Sequence, residues 1–455
     1  MERQPNTKLA ELIAEAGVSH LGLASRITAI AEEWRESVRP AHTQVARWIA
    51  GQQPRGATPA LIAEALSRKL RRRVTLADIG MAGATDSPEI GLDFVETADD
   101  LIANLAGLWT ADIQRRRFLT GKVTATAVSD PAFQWLLAAP ASRPEHTGPR
   151  QIGMTEVQAI RSTTAMFAGL DNRFGGAHAR TAAIQYLTDQ VTPLLNGAYT
   201  SAVGPALFSA VAEFSLTVGW MSYDTGLHGL ARRYLLQALN LAHHAGDRHL
   251  GASVLSAMSH QANYLGEHTE ALTLARAASQ AIRDHPSPLL EAQFAAMQAR
   301  AAAALPGRQT ECLTALSAAE AAFTRHHPGK EPEWITYFDE SELADEFAHC
   351  FRDLGRPTDA RRYALQCLDA ETADYARSRT FSRLVLAAAL LAQDELEEAC
   401  TVVAAALPRI RETGSTRCRT YLRGLTTTLN NHATHHDVRD LTAQIGPILH
   451  PTRPQ

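Results

Sequence analysis

Ala41-His42-Thr43-Gln44-Val45-Ala46-Arg47-Trp48-Ile49-Ala50-Gly51-Gln52-Gln53-Pro54 is the stretch whose reading decides the fold. Val45, Trp48 and Ile49 stand at i, i+3 and i+4, one buried stripe on a short helix. The opposite face carries Thr43, Arg47 and Ala50, with Gln44 on its flank and His42 at the exposed start. Pro40 fits the first turn, where a missing N–H costs nothing, and Gly51 stops the helix. A short helix buried on one side, with hydrogen-bonding residues on the other, fits a DNA major groove. Taken alone, the same stripe also suits an ordinary helical bundle.

The flanking sequence adds short helices on both sides. Leu9, Leu12, Ile13 and Ala16 make a first helix ending at Gly17, and Leu21, Leu23, Ala24, Ile27, Ile30 and Ala31 make a second. Downstream, Thr58-Pro59 opens a helix that buries Leu61, Ile62, Ala65, Leu66 and Leu70. Arg71 to Gly80 then reads as a basic turn and a last short helical segment, giving five short helices before residue 81.

Leu23-Ala24, then Val45 to Pro54, then the helix from Thr58 resemble the helix-turn-helix of phage-repressor (XRE-type) regulators. One departure stands out. Sixteen residues separate Ala24 from Ala41, where the compact motif has only a few. The second helix is therefore expected to run on to Trp34, with Arg35 to Pro40 as a longer turn. Thr43 and Arg47, with His42 and Gln44, are the candidates to meet base edges, since arginine forks onto guanine and glutamine onto adenine.

Charge agrees with this polarity. Residues 1–80 hold twelve Lys/Arg against eight Asp/Glu, leaving 32 against 40 in the remainder. A basic module on an acidic body fits phosphate contact by one end only. Arg39, Arg55, Arg68, Arg71, Arg72 and Arg73 are candidate phosphate clamps, although any single one is as readily a solvated surface charge. The composition, 45% hydrophobic with 20% charged, is that of a globular protein. No run of eighteen apolar residues and no signal-peptide core occurs, so a cytoplasmic protein without membrane contact is expected. Cys312, Cys350, Cys367, Cys400 and Cys418 form no CxxC pair and read as reduced core thiols.

Residues 81–100 carry Gly, Ser, Pro and acidic residues and read as a hinge. Helix resumes at Thr97 and runs to Arg115-Arg116-Arg117. Residues 120–150 read as a second connector, docking by Phe133, Trp135, Leu136 and Leu137. From about Gly153 to Ile448 the chain is helical, and it repeats. Gly226 to Ala231, Leu265 to Ala271, Pro306 to Cys312, Leu354 to Ala360 and Gln393 to Ala399 are each a short turn entering a helix at a small residue. The anchors Ala231, Ala271, Cys312, Ala360 and Ala399 are spaced by 40, 41, 48 and 39. This period resembles tetratricopeptide (TPR)-like helical hairpins, whose small anchors let two helices approach closely.

The whole layout resembles actinobacterial XRE-type regulators with a long C-terminal TPR-like body. More loosely, by architecture alone, it is similar to the peptide-sensing repeat regulators of Gram-positive bacteria. The expectation is an all-α chain: an N-terminal five-helix helix-turn-helix domain (1–80), a linker and connecting helix (81–152) and a TPR-like α-solenoid for sensing and dimerisation (153–455). Its partners would be double-stranded DNA, a second copy of itself and a peptide or small-molecule effector. For the effector, Arg173 and His178 flank the paired glycines of Asp171 to His178, a segment that also suits a plain helix–helix corner. Trp220, Asp224, His228 and Arg232 form a second candidate set, and Trp334 with Tyr337 a third, in the densest aromatic region. Both of these sets also read as ordinary core. His432, His435 and His436 have no acidic partner in an HExxH pattern, so no metal is expected, and no cofactor. No phosphate loop, GxSxG or paired-carboxylate pattern points to an enzyme. The rival reading is a TPR-type protein-interaction adaptor whose N-terminal helices do not read DNA.

Overall fold

The computed structural model describes residues 5–33, 37–54, 57–70, 72, 74, 76, 78–81, 90–119, 123, 126–369 and 376–450. The chain is all-α. Among the described residues no strand forms; His146–Tyr199 and Gln151–Ala198 make isolated bridges only.

The N-terminal unit holds α1 (Thr7–Glu15), α2 (His20–Glu33), α3 (His42–Ile49) and α4 (Thr58–Leu70) around a core of its own. Leu9, Leu23, Ile27, Val45, Leu61, Ile62 and Leu66 are fully buried there. The fifth helix expected after Arg71 does not form among the described residues: Leu76 and Asp78 to Gly80 are turns. The cause is a contact distant in sequence. Asn6 caps α1 through its Oδ1, donates its Nδ2 to the Ile79 carbonyl at 2.7 Å, and its backbone N–H reaches the Ile49 carbonyl. Gly80 then turns at φ +67°. Val74, Leu76, Ile79 and Met81 thus close the core as an irregular cover. The expected second-helix extension to Trp34, like Arg35, lies outside the described residues.

The segment read as connector contributes α5 (Ala98–Leu119) and α6 (Thr126–Leu137) to the body's cores. Leu101, Leu105, Leu108 and Trp109 pack with the helices that follow, and Trp135 is buried against Gly251, where a Cβ would meet its ring at 2.2 Å. Ahead of α5, residues 91–95 form a strap. Gln237, Asn240 and His244, which share one face of a later helix, hold the backbone of Gly91, Asp93 and Val95.

After α7 (Met154–Phe174), α8 (Gly176–Tyr186), a π-turn at Leu187–Val191 and the short α9 (Thr192–Leu195), the chain makes a series of hairpins. They are α10 (Gly204–Asp224) with α11 (His228–Ala245), α12 (Arg248–Tyr264) with α13 (His268–Ala281), and α14 (Pro288–Ala303) with α15 (Gln309–Arg325). Next come α16 (Glu340–Asp353) with α17 (Pro357–Asp369) and α18 (Ala376–Leu391) with α19 (Leu396–Glu412). α20 (Thr416–Leu429) and α21 (His436–Leu449) end the chain.

Each of the five turns carries one residue in the left-handed region: Gly226, Gly266, Gly307, Gly355 and Asp394. Five residues beyond each lies a fully buried anchor: Ala231, Ala271, Cys312, Ala360 and Ala399. The long spacing of 48 reflects the insertion between α15 and α16, which includes a 3-10 turn at Glu333–Ile335. The first helices of successive hairpins touch one another in a row (α10, α12, α14, α16, α18, α20), and α18 also reaches back to α7. The row therefore closes on its own beginning.

Candidate functional site

On α3, Val45 and Trp48 are buried while His42, Thr43, Gln44, Ala46, Arg47 and Ala50 are exposed, so the expected reading face is uncovered. Thr43 and Arg47 lie one turn apart on it. Arg47, Arg26 and Lys69 make no ion pair among the described residues. Gln44 is in part committed elsewhere. Its Oε1 accepts the Ala41 N–H at 2.8 Å, which satisfies a free donor at the helix start. That leaves Nε2 to donate, whereas the two-pronged contact with adenine needs both groups. Past the end of α3, Gln44, Trp48, Gly51, Gln52, Gln53, Pro54 and Thr58 line an open polar concavity of about 500 Å3.

The expected phosphate clamps are mostly paired. Arg39 bonds Glu32 at 3.0 Å, Arg68 bonds Glu64 at 2.7 Å, and Arg72 takes both oxygens of Glu15. All three pairs reach the surface, where such pairs contribute little and are readily exchanged for phosphate. Arg55, Arg71 and Arg73 lie outside the described residues.

In the body, the sequence candidates separate. Arg173 and His178 both point outward and flank the Phe174 ring. The chemistry of that segment resides in Asp171 and the glycines. Asp171 is buried and accepts Arg377 of α18 at 2.6 Å. Gly175 turns at φ +83°, and a Cβ on Gly176 would lie 2.5 Å from the Met221 carbonyl oxygen. Asp224, buried at the end of α10, accepts the Gly176 N–H at 3.2 Å and the Ser415 hydroxyl at 2.7 Å, with Arg377 at 3.7 Å. Thr416 donates to the Thr225 carbonyl, and Gly414 sits against Ala177. The Gly-Gly segment is therefore the joint at which the row's last helices meet its first. A sequence has no signal for a contact between residues 171 and 377.

Trp220 and His228 both lean on Tyr223, whose hydroxyl meets His260 at 3.1 Å. Burial, with Arg232 and Arg417 nearby, pushes the His228 imidazole down to about 4. Arg232 turns elsewhere, pairing with Glu267 and the Val123 carbonyl. Trp334 is partly buried between two cores, and the Tyr337 hydroxyl accepts Gln293 at 2.6 Å. These three sets do not form one site.

Sequence reasoning missed what fills the inner face of the row. Tyr264 of α12 and Tyr421 of α20 stack at 6.5 Å, and His349 of α16 and Phe381 of α18 meet Tyr421 edge-on. Arg417, one turn before Tyr421, lies over Tyr223, Phe381 and Tyr264. Arg300 pairs with Glu346 at 2.5 Å, and Asp345 accepts the Ser382 hydroxyl. An acidic partner for the C-terminal histidines does exist in space. Glu397, His435 and Asp437 bring one ligand atom each within 4.8 Å of one another. Both carboxylates stand in first helical turns, where a negative charge already compensates the helix dipole. Among the described residues no helix is long and apolar enough to cross a membrane.

Residues 9–82 match the SP15 N-terminal domain family, which covers α1 to α4 and about one-sixth of the chain. No curated protein matches the chain.

Proposed function

We propose that this chain is a sequence-specific DNA-binding transcriptional regulator. In this reading α1 to α4 are a helix-turn-helix unit of XRE type, with α3 as the recognition helix, and the hairpin row is a TPR-like sensor and dimerisation body. The observation that carries it is α3: one buried stripe, an uncovered face holding Thr43 and an Arg47 with no ion pair among the described residues, and basic residues around it. An eight-residue helix reads few base pairs, so two copies on a two-fold site would supply the needed contact. An effector acting on the body would shift the spacing of the two heads by binding one arrangement better than the other.

The test is selection of bound genomic fragments by the full-length protein and by a version starting near residue 90. A palindromic motif recovered only with the full-length protein supports a dimeric, sequence-reading regulator. The second reading, a protein-interaction adaptor, draws on the ion pairing that already occupies Arg39, Arg68 and Arg72. It is separated from the first by salt: phosphate contact makes affinity fall steeply with added salt, and the adaptor has no such affinity to lose.

A further inference from the structure

Most deeply buried arginines of the body meet a carboxylate: Arg180 with Asp112, Arg232 with Glu267, Arg300 with Glu346. Arg417 does not. Only 8% exposed, it has no carboxylate at ion-pair distance, and its Nε has no hydrogen-bond partner among the described residues. Its guanidinium carbon instead lies 4.4 Å from the centroid of the Tyr223 ring, 4.7 Å from Phe381 and 5.8 Å from Tyr264. Three rings from three different helices thus wall one planar cation. That arrangement recognises a cation by its charge and flat faces, with the Asp224 carboxylate acting on it only from beyond ion-pair distance.

The cation is delivered by the helix that closes the row. Ser415 and Thr416, immediately before Arg417, make the hydrogen bonds to Asp224 and Thr225. Tyr421, one turn later, covers Tyr264 and Phe381. Filling the cage and closing the row are therefore one event.

We propose that the inner face of the hairpin row carries a guanidinium-binding aromatic cage, formed by Tyr223, Tyr264 and Phe381, which Arg417 fills from within the chain. A ligand bearing a guanidinium group competes with Arg417 for it and releases α20 from α10. Such a group is supplied either by a free guanidino compound or by an arginine side chain of a peptide. The cage stands or falls independently of DNA reading.

Chemical rescue tests it on the full-length chain. Arg417→Ala empties the cage and lowers the melting temperature, and hydrogen exchange over residues 413–425 rises. Methylguanidinium at millimolar concentration, with ionic strength held constant, restores both saturably. The regain is about 1–3 °C at ten times the dissociation constant. Methylurea, the neutral isostere, does not restore them; in the wild-type chain methylguanidinium instead competes with Arg417, so exchange over residues 413–425 rises. Tyr223→Leu added to Arg417→Ala abolishes the rescue. Rescue by Ala-Arg-Ala as well as by methylguanidinium assigns the cage to arginine side chains; rescue by methylguanidinium alone assigns it to free guanidino compounds. The proposal is overturned if nothing rescues Arg417→Ala, if methylurea rescues it equally, or if rescue survives in the Tyr223→Leu double variant. Should Arg417→Ala not fold, Arg417→Met keeps the stem's packing and takes the same tests.

Discussion

Trp48 and Arg47 are neighbours in sequence with opposite fates, because successive helical residues face about 100° apart. Trp48 is 5% exposed and anchors α3 to the N-terminal core. Trp48→Ala should cost about 3–5 kcal/mol of that unit's stability, read by urea unfolding of the full chain. Arg47→Ala should leave the unfolding midpoint in place while weakening binding to the selected motif by roughly 1–3 kcal/mol at one base-pair position. Unchanged base preference in both Arg47→Ala and Thr43→Ala would remove α3's exposed face as the reader. Gln44 shows where sequence reading is incomplete. Its side chain was legible as a polar group on the flank, but its bond to the Ala41 N–H follows from where the helix starts.

The hairpin turns let a single backbone position be isolated. Gly266 turns at φ +81° with nothing within 4 Å of where a Cβ would stand, so Gly266→Ala pays only the left-handed backbone cost. A loss of about 1–2 kcal/mol is expected. Asp394 occupies the equivalent turn position at φ +62° without being glycine, and Asp394→Gly should therefore stabilise, by about 0.5–1 kcal/mol. Denaturation midpoints of the two variants check both signs; a loss in Asp394→Gly would mean that its side chain makes a contact worth more than the backbone strain. The repeat was readable in sequence because both the turn and the anchor are local requirements five residues apart. The fifth N-terminal helix is absent among the described residues for the converse reason. The stretch reads as helical alone, but Leu76 and Asp78 to Gly80 are turns, and Asn6 holds the Ile79 carbonyl from 73 positions away.

For the whole molecule, the closed row buries titratable groups on its inner side and at the α16–α18 contact, and pH should act on it from both ends. Burial, with Asp345, Glu346 and Asp339 nearby and only the Ser378 hydroxyl favouring the anion, pushes Glu342 from its ordinary 4.5 up to about 8. Its contribution to stability is full below pH 4.5 and is lost as pH rises through 8. His228 moves the other way, from 6.5 down to about 4, and His260 and His349 are also pushed well down by burial and the surrounding arginines. Their contribution is full above pH 6.5 and is lost as pH falls toward 4. Glu342→Gln should therefore raise the melting temperature at pH 8 by roughly 2–3 °C and leave it unchanged at pH 4.5. Calorimetry at the two pH values decides it, since a shift of equal size at both would assign the effect to packing.

Readable from the residues alone are the all-α class, the buried stripe and uncovered face of α3, and the hairpin period with its small anchors. All of these are written in spacings of three to five residues or in a repeat near forty, and each is set by local sterics and burial. That the repeat row closes is visible only in the folded chain. Closure rests on Asp171 with Arg377, Asp224 with Ser415, and Arg417 among Tyr223, Tyr264 and Phe381. These contacts join residues up to about two hundred positions apart. Such pairings depend on how five hairpins add their small rotations, and no single stretch of sequence encodes that sum. The inner face is for that reason filled by the chain's own charged and aromatic side chains.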